Sequence, residues 1–218
     1  IKKGDANMCK AKNKINEKDL LKFLKFSYFG DLSNPIHAAS KRAYRDMNRT
    51  IRFNELSTDE IRLELREKVN NVFENEIKKL IGNNITNQKE FDAWHCDVCK
   101  MIKSFYLNEG IEFSYGQAQK WVNMTIKYLY ILKEYSFDNV LKYLHIPVDN
   151  FIFKAVKEEL NIKRPTKVSW SRWNNYDEYL EYQNDIRKKL KEEDISPLRW
   201  EFENWLNEAE KEAQKVKK

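Results

Sequence analysis

Glycine and proline are scarce in this chain, at five and four residues in 218. A sandwich or barrel of many short strands uses those residues at its turns, so their shortage argues against one. Three cysteines make an odd number and no disulfide framework, which predicts a reducing, intracellular setting. No apolar run approaches the roughly 18 to 20 residues that span a bilayer. The first residues, "IKKGDANMCK", lack the apolar core of a signal peptide. No membrane partner is expected. The phosphate-loop, dinucleotide, zinc-protease and nucleophile-elbow patterns are all missing. Cys96 and Cys99 stand beside His95, but a structural zinc wants four ligands and an iron–sulfur cluster four cysteines. They read as buried thiols, with no metal and no cofactor expected.

Lysine, glutamate, leucine and asparagine are abundant, and 41% of the chain is hydrophobic, enough for a core. The formal net charge of +6 permits an anionic partner without requiring one. Strand-like alternation is nearly absent. Helix starts recur: Ser33 or Asn34 before Pro35, Ser57 with Glu60, Asn87 with Glu90, Ser114 with Gln117, and Ser196 before Pro197. Stops fall at Gly82 and Gly110. Further helices are predicted at about 138–144, 150–160 and 175–192. The fold class expected is all-α. Of the six tryptophans most belong to the core, while Trp170 and Trp173, in the basic connection 161–175, have base stacking as an alternative.

The helix "GQAQKWVNMTIKYLYIL" raises a question. Val122, Ile126 and Leu129 form an apolar stripe flanked by Trp121, Thr125, Tyr128 and Leu132. Lys120, Asn123, Met124 and Lys127 form another, with the two lysines about 10 Å apart along the axis. An arbitrary helix would turn such a stripe to solvent. Beyond the helix, "HIPVDNF" sets Asp149 where its side chain caps a following helix.

The order Gly116, Gln119-Lys120, Lys127, then Pro147-Val148-Asp149 resembles the helix-hairpin-helix DNA glycosylases, and most closely their archaeal 8-oxoguanine branch. "SPLRWEFENWL" is similar to that family's last helix, with Glu201 and Trp205 at the matching positions. The likeness covers roughly 86–160 and 196–206. It implies two helical lobes with an active-site cleft between them: 86–164 as the hairpin core, and 1–85 packed with the C-terminal helices of 165–218. It also implies a bifunctional DNA glycosylase and AP lyase, a monomer, acting on double-stranded DNA in the cytoplasm at the nucleoid, or in a nucleus.

In that scheme Lys120 attacks the sugar and Asp149 steadies its positive charge. Lys127, Met124, Glu201 and Trp205 hold the everted base, 8-oxoguanine being the expected one. Gly116, Gln117, Lys163, Arg164, Lys167 and Arg172 meet the DNA backbone. Two departures stand out: the family's second hairpin glycine is Ala118, and its stacking aromatic is Met124. Two other readings remain open. One is a glycosylase for a modified base of foreign, phage DNA. The other is a non-catalytic helical nucleic-acid-binding protein.

Overall fold

The structure, a computed structural model, describes residues 15–82 and 85–215. Among these the chain forms eight α-helices and no strand, so the protein is all-α. In order they are α1 (Glu17–Phe29), α2 (Pro35–Met47), α3 (Asp59–Ile81), α4 (Gln88–Asn108), α5 (Tyr115–Leu132), α6 (Asn150–Glu159), α7 (Tyr176–Lys191) and α8 (Pro197–Lys215). Short 3-10 turns lie at Asn48–Thr50, Leu141–Tyr143 and Trp170–Arg172. No described helix is long and apolar enough to cross a membrane.

Side-chain caps set where most of these helices begin. Asn16, Asn34, Thr58, Asn87, Ser114, Asp149 and Asn175 each accept the amide three residues on. Each such cap is worth about 1 kcal/mol. The cap of α3 is Thr58 and not the expected Ser57, whose hydroxyl is turned back to Asn54. At α4 the cap is Asn87, but the Glu90 carboxylate receives the amide of Thr86 instead of closing the box. The box at Ser114 and Gln117 closes fully. The helix expected at 138–144 is only turns and the 3-10 segment Leu141–Tyr143.

Helix α5 is the axis of the molecule. It is buried on every side from Gly116 to Leu129, polar residues included. It packs most extensively on α2, then on α4 and on the 3-10 turn Trp170–Arg172. The Trp121 indole donates to the Ser40 carbonyl at 3.1 Å, locking α5 to α2. Trp170 and Trp173 are buried in the core, which leaves neither free to stack on a base. Helix α8 lies against α6 and carries Glu201 and Trp205 to that helix's N-terminal end. Helix α1 departs from its sequence signal. Leu20, Leu21, Phe23, Leu24 and Phe26 give it helical apolar spacing, yet all five are exposed and only Phe29 is buried.

Gly116 is where the turn at 170–173 meets α5. Its amide donates to the Trp173 carbonyl at 2.7 Å. A Cβ there would stand 1.7 Å from the Trp170 carbonyl oxygen, a clash with backbone. Gly116→Ala should therefore push the tryptophan turn off α5. We expect a loss of about 3 kcal/mol in denaturant unfolding, with Ala118→Gly on the same helix, which opens no such clash, losing only about 1 kcal/mol.

Candidate functional site

Asp149 starts α6 as its cap, with Oδ1 accepting the Ile152 amide at 3.0 Å. The other oxygen, Oδ2, lies 2.6 Å from Lys120 Nζ. Lys120 is only 4% exposed. Burial works to raise the Asp149 pKa. The adjoining Lys120 charge and hydrogen bond, the Ile152 amide and the Trp205 indole together outweigh it and hold the carboxyl below its usual range. The helix dipole at the start of α6 acts in the same direction.

One turn pair further along α5, Lys127 meets Glu201 of α8, with Nζ 2.9 Å from Oε1 and 2.6 Å from Oε2. Only the Oε1 contact has hydrogen-bond geometry, and Oε2 is buried without a hydrogen-bond partner. Burial raises the Glu201 pKa more than Lys127 lowers it. The Lys127 ammonium also lies 4.5 Å from the Phe202 ring centre and 5.4 Å from that of Trp205.

These groups meet in a cleft of about 690 Å³, within the roughly 300–1,000 Å³ usual for small-ligand sites. Lys120, Met124, Lys127, Tyr128 and Ile131 present one face of α5 to it, while Asp149, Phe151 and Trp205 come from α6 and α8. The opposite contributions come from Tyr28, Arg42, Arg45, Asp46 and Arg49. So the structure brings Lys120, Asp149, Lys127, Met124 and Trp205 together. Two details of the expected stripe change. Tyr128, assigned to the core flank, lines the cleft and donates to Asp46. Asn123, assigned to the lysine stripe, turns away and bonds His95 and Tyr179. Glu201, expected on the base edge, is 1% exposed and sits behind Lys127.

The residues expected on a DNA backbone do not form one group. The Gly116 amide is already given to Trp173, so no phosphate can take it. The Gln117 side chain is spent on Ser114, on the carbonyl of Thr50 and on its hydroxyl. Lys163, Arg164 and Lys167 are exposed but line neither the cleft nor the large groove beside it, whereas Arg172 lines that groove. The Arg164 guanidinium is folded over Phe153 and donates to the Val168 carbonyl.

Sequence reasoning missed the device that places Asp149. Gln119 accepts the Val148 amide at 3.1 Å and returns a bond to the Val148 carbonyl at 2.8 Å. Gln183 does the same for Ile146, at 3.2 and 2.9 Å. His145 bridges Tyr179 and Asp92 at 3.0 and 2.9 Å, and the His95 ring lies tilted against it with centres 4.4 Å apart. The segment before Asp149 is thus clamped at the main chain of Ile146 and Val148 and at the side chain of His145. Also missed was the N-terminal wall, although arginines at 42, 45, 49 and 52 recur at helical spacing. The chain matches no family model, no curated protein and no solved structure.

Two predictions follow from these groups. Lys127→Met leaves Glu201 buried without its counter-charge, and should cost about 3–5 kcal/mol. Adding Glu201→Gln should recover most of that in a double-mutant cycle of unfolding free energies. Burial drives the His145 pKa down to about 4, despite the opposing Asp92 bond, and pushes His95 well below its usual value. Both rings bind protons more readily unfolded, so stability is complete above about pH 6.5 and is lost on acidification. His145 alone accounts for roughly 3 kcal/mol by pH 4. Asp149 and Asp92, both with lowered pKa, lose their share only at lower pH. Denaturant titrations at pH 7 and pH 5 should show the loss, and His145→Gln should reduce it.

Proposed function

We propose that the protein is a DNA glycosylase with AP lyase activity, in which Lys120 is the nucleophile and Asp149 its electrostatic partner. The observation that carries this reading is the buried 2.6 Å Lys120–Asp149 pair opening into a cleft of nucleotide size. On this reading α4 to α6 form one lobe, the N- and C-terminal helices the other, and the cleft between them takes a base everted from duplex DNA. The protein acts as a monomer.

A carboxyl held low in pKa stays ionised, which suits it to stabilise the cationic sugar and makes it a poor base. The proton on Lys120 Nζ therefore goes to the departing base, which leaves with the electron pair of the N-glycosidic bond. The freed amine then bonds C1′. A proton passes from the bonded nitrogen to O4′ as the C1′–O4′ bond breaks, which gives the Schiff base. Water then takes the C2′ proton, and the electron pair released forms the C2′–C3′ double bond and expels the 3′ phosphate, which nicks the strand.

Trp205 and Met124 supply surfaces for the base, and Lys127 donates to a carbonyl oxygen on its edge. Glu201 anchors Lys127 instead of reading the base itself, because a base N–H would have to displace the ammonium from it. A carbonyl-seeking lysine fits 8-oxoguanine, and fits equally a modified base of foreign DNA bearing a carbonyl at that position. A purely binding protein is the weaker reading. Burying a lysine and an aspartate carries a desolvation penalty of several kcal/mol per ion, and a surface grip on DNA gives no reason for it.

Borohydride reduction during incubation with 8-oxoguanine duplex should leave a covalent protein–DNA adduct. Lys120→Gln should abolish it, and Asp149→Asn should slow single-turnover excision on the order of 10²-fold or more. Duplex bound with no adduct on any of a panel of oxidised and hypermodified bases would sink the reading.

A further inference from the structure

The cleft is not the largest concavity of the molecule. A groove of about 990 Å³ adjoins it, and Arg49 lines both. Three separate stretches of chain bring cations to this groove: Arg49 and Arg52 after α2, Lys103 on α4, and Arg172 in the tryptophan turn. Arg49, Arg52 and Arg172 are exposed, and Lys103 is half-buried. None of the four is in a salt bridge among the described residues, and nor is Arg45 at the cleft mouth. By contrast Arg42, deeper in the cleft, is neutralised by Asp46 at 2.9 Å. Glu112 is the one carboxylate on the groove lining. Neutral donors complete it: the hydroxyls of Ser169 and Ser171 and the amide of Asn174.

We infer that this groove is the track for the phosphodiester backbone of the strand whose nucleotide enters the cleft, with Arg49 holding the phosphate beside that nucleotide. Naming the anion as a DNA strand rests on the glycosylase reading, while the affinity for a polyanion does not. Arg49, Arg52 and Arg172, exposed and in no salt bridge among the described residues, are free to displace counterions from phosphates, while Lys103, over the Tyr115 ring, adds positive charge to the groove wall. The hydroxyls and the amide give additional donors of the kind that meet phosphate oxygens. The track also explains how a backbone is held when the Gly116 amide is spent on Trp173. Guanidinium and ammonium groups from three segments take over what a hairpin amide cannot supply. Because Arg49 belongs to both cavities, its contact with phosphate and the eversion of the neighbouring nucleotide are linked.

The test uses undamaged duplex DNA and fluorescence anisotropy at several salt concentrations, with the full chain. Arg52→Ala and Arg172→Ala should each weaken binding several-fold and reduce the salt slope by about 1. Lys167→Ala, outside the groove, should change neither. Arg49→Ala should also reduce the fluorescence rise of 2-aminopurine placed at the everted position, at DNA concentrations that saturate the variant. Thermal melts confirm that each variant is folded, and since these side chains are in no salt bridge their melting should shift by little. Unchanged affinity and salt slope in a folded Arg52→Ala, Arg172→Ala double variant would overturn the track, even where Lys120 still forms its adduct. Salt-dependent binding lost in that variant, with no adduct on any base, would keep the track as a polyanion site and sink the glycosylase.

Discussion

Two opposite charges 2.6 Å apart, both largely buried at the wall of the cleft, constrain the residues around them. Neither Lys120 nor Asp149 could be buried singly without a large desolvation penalty. The surrounding structure supplies the compensation in pieces. The start of α6 gives Asp149 an amide and a favourable dipole, and Trp205 adds its indole. Gln119, the residue before Lys120, fixes the main chain just before Asp149 with two bonds. A lysine and its partner glutamine on one helix thus grip the same segment from two sides. That arrangement ties the position of the acid to the position of the amine.

The second pair, Lys127–Glu201, follows the same rule with a different balance. Asp149 has its capping amide as well as its lysine, which together outweigh burial and hold it low in pKa, whereas burial of Glu201 outweighs Lys127 and raises it. An under-satisfied buried carboxylate holds its cation tightly. Lys127 is therefore confined between Glu201 and the faces of Phe202 and Trp205, where three groups favour a positive charge. The first pair is open to the cleft and the second closes one end of it. Two lysines on one helix face are thus held by carboxylates whose pKa values move in opposite directions.

Local rules made much of the fold legible. Capping chemistry marks a helix start within three or four residues, and so Asn87 and Ser114 read correctly, while the structure chooses Asn34 over Ser33. Ser57 and Thr58 are both good caps in sequence, and the Ser57 hydroxyl is taken by Asn54 three residues before it, which leaves Thr58 as the cap. The segment 138–144 has helical spacing but too few residues to outlast its turns. For α5 the pattern separated two faces, yet could not say that the polar face is also buried, because burial depends on what covers it. Exposure of the apolar residues of α1 is the mirror case: the spacing is right and no described element covers them.

The meeting of Lys120 with Asp149 was expected from the family resemblance alone; local rules gave only the cap position of Asp149 and the two-turn spacing of Lys120 and Lys127. What lies between lysine and acid is not local. Gln119, Gln183, His145 and Asn123 are ordinary polar residues in sequence, and only the fold makes each a partner of the 145–149 segment. The same holds for Gly116. Its value in sequence suggests a backbone open to a ligand, while the structure uses that openness internally, to seat the carbonyl of Trp170 against α5. The same contact seats the turn that carries Arg172 to the groove, which Arg49, Arg52 and Lys103 also line. Gly116 is thus spent on packing within the chain, and its amide is not free for a ligand.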